Sequence, residues 1–312
     1  MSLTASISAS NFCESTGATG SWPPETDMRL ADCGGSTLPG WQLGWAQVIG
    51  SRHPRFSEDS LAHNNRLLAG QVLGSPHALC LAVADGVGGG ARGEVASAAL
   101  ANHSVTLPDE LMGHPDAIAR WMNLAEGQVQ LKLREVSYSP GAATLAAAWL
   151  MPNAPHARTG ENESASITGY ILRVGDARLY QFDGCNLTPL TSDQTYKNVG
   201  ETPPEGATPD DPARMVGTGF MGQPEILPVQ MGLGQTLLLC SDGLHRSLSA
   251  ENMADLLRQG GDLSTCALRL ARAARLAGSD DDITVLLAGT IQALFHHSSE
   301  PRGLVNMLRK IF

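Results

Sequence analysis

The chain has 312 residues, enough for one large domain or two small ones, and its 42% apolar content supports a well-buried core. It carries 31 acidic against 21 basic residues, a formal charge of -10 with no basic stripe, which argues against nucleic acid as a partner. No apolar run approaches the ~20 residues that span a bilayer, and the six cysteines include no C-x-x-C pair, which points away from a disulfide scaffold and towards a reducing, cytoplasmic setting.

Residues 1–38 are rich in Ser, Thr, Gly and Pro without periodicity and read as a flexible N-terminal tail. They hold no basic stretch followed by an apolar core, so no secretory signal is expected. Ordered structure is expected to begin at 41–49, with Trp41 and Trp45 available for packing. The run Leu79-Cys80-Leu81-Ala82-Val83-Ala84 reads as a buried strand ending at Asp85-Gly86, and its cysteine, like Cys240 further on, as a buried thiol. The alanine-rich stretch 93–105 predicts a helix. Apolar residues from Ile118 to Leu133 recur at helical spacing and predict another over 116–136.

Strands then dominate, at 144–150, 167–174 and 178–182, and Asp183-Gly184 marks a tight turn into 186–190. Residues 192–224 hold Pro203, Pro204, Pro209, Pro212 and Pro224 among many glycines and read as a long, flap-like loop. A buried strand follows at 236–240. Ser249 is an expected N-cap with Glu251 in the first turn of a helix to Arg258. A second helix is expected at 264–277 and a last strand at 283–288. Residues 293–312 carry Leu304, Val305, Leu308 and Ile311 at helical spacing and read as a short helix. The order of elements predicts an α+β fold with one domain over 39–292 rather than regular βαβ alternation.

Four acidic segments stand beside these strands: Ser57-Glu58-Asp59-Ser60, Ala84-Asp85-Gly86-Val87-Gly88-Gly89, Cys240-Ser241-Asp242-Gly243-Leu244 and Asp280-Asp281-Asp282-Ile283-Thr284. Carboxylates at strand ends, with glycine next to two of them, suit a shared oxygen-ligand site for hard divalent cations. Without metal such a cluster repels itself.

These segments, with Val174-Gly175-Asp176-Ala177-Arg178 and Leu190-Thr191-Ser192-Asp193, occur in the order found in the metal-dependent protein phosphatases, the PPM or type 2C serine/threonine phosphatases. The chain resembles the bacterial members of that family over roughly residues 42–290. The resemblance implies two packed antiparallel β-sheets flanked by helix pairs, with a metal centre between the sheets. It implies hydrolysis of phosphoserine and phosphothreonine by in-line attack of a water held between two Mn2+ or Mg2+ ions. By resemblance Asp85 bridges the ions, the Gly86 carbonyl binds one of them, Asp242 and Asp281 complete one site, and Glu58 or Asp59 serves the other. Asp176 resembles the acid that holds a weaker third ion.

The chain also departs from the family pattern. Arg246 stands where a further acid is often found, four residues after Asp242. The usual position of the phosphate-binding arginine is Pro54, leaving Arg55, or else Arg52, for that role. Val87 replaces a histidine common in eukaryotic members and donates no proton, and Asp282 replaces the usual asparagine, adding a charge that would weaken selectivity or bind an extra cation. The implied partners are a phosphoprotein substrate and a bacterial serine/threonine kinase that the chain opposes, with the chain a monomer. The departures leave open a catalytically weak or inactive binding module, and a small-molecule phosphohydrolase is a third reading.

Overall fold

Pro39-Gly40, with Gly40 at a φ of +87°, turns the chain between two paired strands, β1 (Leu30–Leu38) and β2 (Trp41–Val48). The end of the expected tail is therefore part of a sheet. Its polar, glycine-rich composition hides the strand because β1 is a largely exposed edge, held by its pairing with β2 rather than by burial. The computed structural model describes residues 28–53, 55–68, 77–87, 92–136, 140–152, 166–219 and 221–290. The rest of the expected tail and the expected helix in 293–312 lie outside them.

The further elements are β3 (Ser60–Arg66), β4 (Ala78–Val87), α1 (Gly93–Val105), α2 (Pro115–Asn123), α3 (Ala125–Val136), β5 (Ala142–Pro152), β6 (Ile167–Val174), β7 (Arg178–Phe182) and β8 (Leu187–Pro189). They continue with α4 (Tyr196–Val199), β9 (Ile226–Met231), β10 (Thr236–Cys240), α5 (Asp242–His245), α6 (Ala250–Arg258), α7 (Leu263–Leu276) and β11 (Ile283–Thr290). Two wholly antiparallel sheets result, in the orders β1-β2-β11-β10-β7-β8 and β3-β4-β5-β6-β9. The single helix expected over 116–136 is two, separated where the Leu124 N–H closes a tight bond to the Trp121 carbonyl.

Side chains alternate across each strand, and this alternation sorts the core into three layers. Leu79, Leu81 and Val83 of β4 face Leu237 and Leu239 of β10 and Leu286 and Ala288 of β11 between the sheets. Cys80, Ala82 and Ala84 face outward under α1, α2 and α3. Leu238 and Cys240 face the other way, under α6 and α7, with Val285 and Leu287. Cys80 and Cys240 are fully buried, as their apolar runs predict; burial raises both thiols, Cys80 to about 11. The architecture is the expected helix–sheet–sheet–helix sandwich. Ser249 caps α6 as expected, its hydroxyl accepting from the Asn252 N–H at 3.2 Å.

Candidate metal centre

Continuing the 79-81-83 alternation of β4 puts Asp85 on the inter-sheet side at the end of the strand. The same end of the sandwich collects the other acids. Glu58 and Asp59 precede β3, Asp176 lies in the β6–β7 turn, Asp242 opens α5 directly after β10, and Asp281 immediately precedes the Asp282–Ile283 entry to β11. A cleft of about 670 Å³ opens there, lined by Arg52, His53, Glu58, Asp85, Gly86, Asp176, Asp242, Arg246 and Asp281 among others. Its remaining wall comes from the long loop, through Tyr196, Pro204, Ala207, Asp211, Pro212 and Met215.

Backbone contacts explain why these segments converge. Ser241 and Thr284 bond reciprocally, the Ser241 N–H to the Thr284 carbonyl at 3.1 Å and the Thr284 N–H to the Ser241 hydroxyl at 2.9 Å. Ser97 of α1 donates to the Glu58 carbonyl at 2.5 Å. Close approach requires glycine at two places. A Cβ on Gly86 would lie 2.7 Å from the Glu58 carbonyl oxygen, and one on Gly93 would lie 2.6 Å from Glu58 Oε2.

The loop before Glu58 hangs on one buried carboxylate. Asp282 Oδ1 accepts from the Gly50 N–H at 2.6 Å, and Oδ2 accepts from the Glu58 N–H at 2.7 Å and lies 2.8 Å from His53 Nδ1. Both oxygens are therefore committed to the protein. The charge that replaces the usual asparagine organises this loop. Sequence reading passed over His53, whose partner is 229 residues away.

The acids perturb one another. Burial, then the charges of Asp59, Asp242, Asp176 and Asp281, hold Asp85 well above the carboxylate range. Burial, then Asp282, raises Asp59 likewise. Burial raises Asp242, with Arg246 opposing, and burial with the charge of Asp242 pushes Asp176 up to about 7. Glu58 is raised by burial.

Two observations fit a bound cation. Glu58 Oε2 and Asp59 Oδ2 are buried without a hydrogen-bond partner, an unfavourable state for carboxylate oxygens that a metal relieves. The donors are also hard oxygens suited to Mg2+ or Mn2+. Among the described residues no three His, Cys, Asp or Glu side chains close into a cage by themselves. Asp281 leans to Arg52 at 3.1 Å and Asp242 to Arg246 at 3.1 Å.

Each expected site residue has a definite place. Glu58, Asp85, Gly86, Asp176, Asp242 and Asp281 line the cleft, and Asp59 is buried close enough to Asp85 to raise its pKa. Arg55 is exposed and does not line the cleft; Arg52 does, drawn in by Asp280 and Asp281. His245 is buried and donates Nε2–H to the Asp176 carbonyl at 2.8 Å. Burial lowers its pKa to about 4, so it is neutral.

No family model matches the chain. The serine/threonine protein phosphatase PstP of Mycobacterium tuberculosis is 31% identical over 224 residues, 68% of this chain but 40% of the relative. The serine/threonine phosphatase Stp of Listeria welshimeri is 28% identical over 256 residues, 75% of this chain and 94% of the relative. The crystal structure of the M. tuberculosis phosphatase PstP/Ppp matches with a TM-score of 0.58 at 25% identity, covering 80% of this chain and 99% of that one. The chain belongs to the bacterial PPM serine/threonine phosphatase family. It spans about 40% of the length of its mycobacterial PPM relative. Among the described residues of this PPM member, no helix is long and apolar enough to cross a membrane.

Proposed function

We propose that the chain is a metal-dependent phosphatase that removes phosphate from phosphoserine and phosphothreonine in proteins, in the cytoplasm and as a monomer, opposing a serine/threonine kinase. The observation that carries this reading is the set of mutually raised, buried carboxylates around Asp85, with Glu58 Oε2 and Asp59 Oδ2 unsatisfied. Glu58, Asp59, Asp85, the Gly86 carbonyl, Asp242 and Asp281 would hold two divalent cations, Mn2+ or Mg2+. When bound, these supply positive charge for the phosphoryl oxygens and lower the pKa of the attacking water.

The chain's own residues do the rest. Arg52 sets a guanidinium on the cleft wall, 57% exposed, where it can reach a phosphate oxygen of the substrate. Asp282 fixes the loop that presents Arg52, His53 and Glu58. Tyr196, Pro204 and Met215 form an apolar wall beside the acids, against which the peptide flanking the phosphate can lie.

Hydrolysis of a phosphothreonine peptide by the purified chain with Mn2+, with EDTA, and by Asp85→Asn tests the proposal. Turnover that needs metal and vanishes in the variant is expected; turnover retained by Asp85→Asn sinks it. A second reading, a binding module without turnover, draws on Arg52 and Arg246, which already pair with Asp281 and Asp242. It predicts phosphopeptide binding with no release of phosphate at any metal concentration.

A further inference from the structure

Arg246 lies among acceptors from three separate elements. Its Nη2 donates to Asp176 Oδ2 at 2.9 Å in the β6–β7 turn and to the Asp210 carbonyl at 3.1 Å in the long loop. Its Nε lies 3.1 Å from Asp242 Oδ2 at the start of α5. Asp176 is 2% exposed and Asp242 8%, so both carboxylates are largely removed from water and need a positive neighbour. A guanidinium cannot lose its proton under any physiological condition and presents several donors in a fixed fork. It therefore supplies between these two acids what a cation would supply, permanently and with direction.

The loop end of this arrangement is equally built. Gln194 N–H donates to the Gly175 carbonyl at 2.8 Å, and Gln194 Oε1 accepts from the Gly175 N–H at 3.0 Å. Arg178 grips Asp193 through two bonds of 2.6 Å. The Ala213 N–H donates to the Gln194 carbonyl at 2.8 Å. Gln194, near the start of the loop, is thus fastened to the turn that bears Asp176, Ala213 is fastened to Gln194, and Arg246 holds Asp210 close by.

We infer that Arg246 is a positioning residue that takes the place of a third metal ion between Asp176 and Asp242 and latches the 200–213 part of the loop to the acid cluster. The inference rests on the proposed metal site, and it makes the wall of the substrate cleft independent of metal concentration. A divalent ion that sought Asp176 would have to displace a guanidinium held by three acceptors.

The test counts Mn2+ bound per chain by isothermal titration and by elemental analysis after gel filtration, for the wild type, Asp176→Asn and Arg246→Met. Backbone hydrogen exchange of 200–213 is followed in the metal-free proteins. The wild type is expected to bind two ions and Asp176→Asn to bind the same number. Arg246→Met is expected to gain a weaker third and to lose at least tenfold in exchange protection across the loop. A third ion on the wild type, or a smaller count in Asp176→Asn, overturns the inference while leaving the metal site standing. An unchanged count and unchanged loop exchange in Arg246→Met overturn it as well. Failure of the wild type to bind any Mn2+ overturns the metal-site reading itself, and the inference with it. The wild-type and Asp176→Asn counts decide the matter even if Arg246→Met does not fold.

Discussion

The carboxylate of Asp282 lies 2.8 Å from His53 Nδ1, with the histidine side chain 22% exposed and the aspartate 2%. The buried acid orients a ring at the mouth of the cleft and leaves Nε2 directed towards Glu58, 3.8 Å away. The same carboxylate satisfies the backbone N–H groups of Gly50 and Glu58. Asp282→Ala should therefore destabilise the protein by about 2–4 kcal/mol, because it strands two buried donors. Asp282→Asn, which keeps one acceptor oxygen, should lose less. Urea denaturation of the three proteins measures this, and an alanine variant within ~0.5 kcal/mol of wild type would refute the organising role of Asp282.

Stability of the metal-free protein should fall as pH rises from about 4 to about 7. Asp176 keeps its proton up to about 7 when folded, whereas an unfolded aspartate releases it near 4. In that window the folded state binds more protons, so raising the pH favours unfolding. Asp85 and Asp59, also raised, push in the same direction. Thermal melts in EDTA should give a melting temperature several degrees lower at neutral pH than near pH 5, and saturating Mn2+ should reduce the part of the difference that comes from Asp85 and Asp59. A flat profile in EDTA would contradict the arrangement.

Asp85→Asn should separate stability from function. Asparagine carries no proton equilibrium for burial and four neighbouring acids to oppose, so the metal-free variant should melt at or above the wild-type temperature at neutral pH. It should also lose most of the stabilisation that Mn2+ gives the wild type. Calorimetry with and without metal reads both effects, and a variant less stable than wild type in EDTA would count against the cluster as described.

Gly93→Ala should act on Glu58 at a distance from the cation. The added Cβ would lie 2.6 Å from Glu58 Oε2 and 3.1 Å from the Gly86 carbonyl carbon, so both proposed ligands would have to shift. Mn2+ affinity should drop about tenfold, in line with losses at groups that position metal ligands, with far-ultraviolet circular dichroism unchanged. Wild-type affinity in this variant would count against Glu58 and the Gly86 carbonyl as ligands.

Most of the fold was legible because its strands are either continuous apolar runs or regular alternations. The apolar run from Leu79 ends at Ala84, with Asp85 next in the same strand, and 178–182 and 236–240 coincide with β7 and β10. What escaped were edges. β3, Ser-Leu-Ala-His-Asn-Asn-Arg, is half-buried at every position and so shows no period. β9 carries Pro228, tolerated because it lies at the border of its sheet. β1 depends on a hairpin partner rather than on its own residues. In the site, each acid could be found from its strand end. The arginine facing the cleft could not, because Arg52 and Arg55 differ only in which one meets Asp280 and Asp281 more than two hundred residues away.

The carboxylates come from segments as far apart as Glu58 and Asp281, and Gln47 donates to the Thr284 hydroxyl across 237 residues. No contiguous piece of the chain, cut anywhere between the first acid and the last, retains the whole set. A chain that stops short of Asp281 thus lacks part of the set. The centre comes into being only when the two sheets have closed on each other, so its appearance reports that the last strand has found its place.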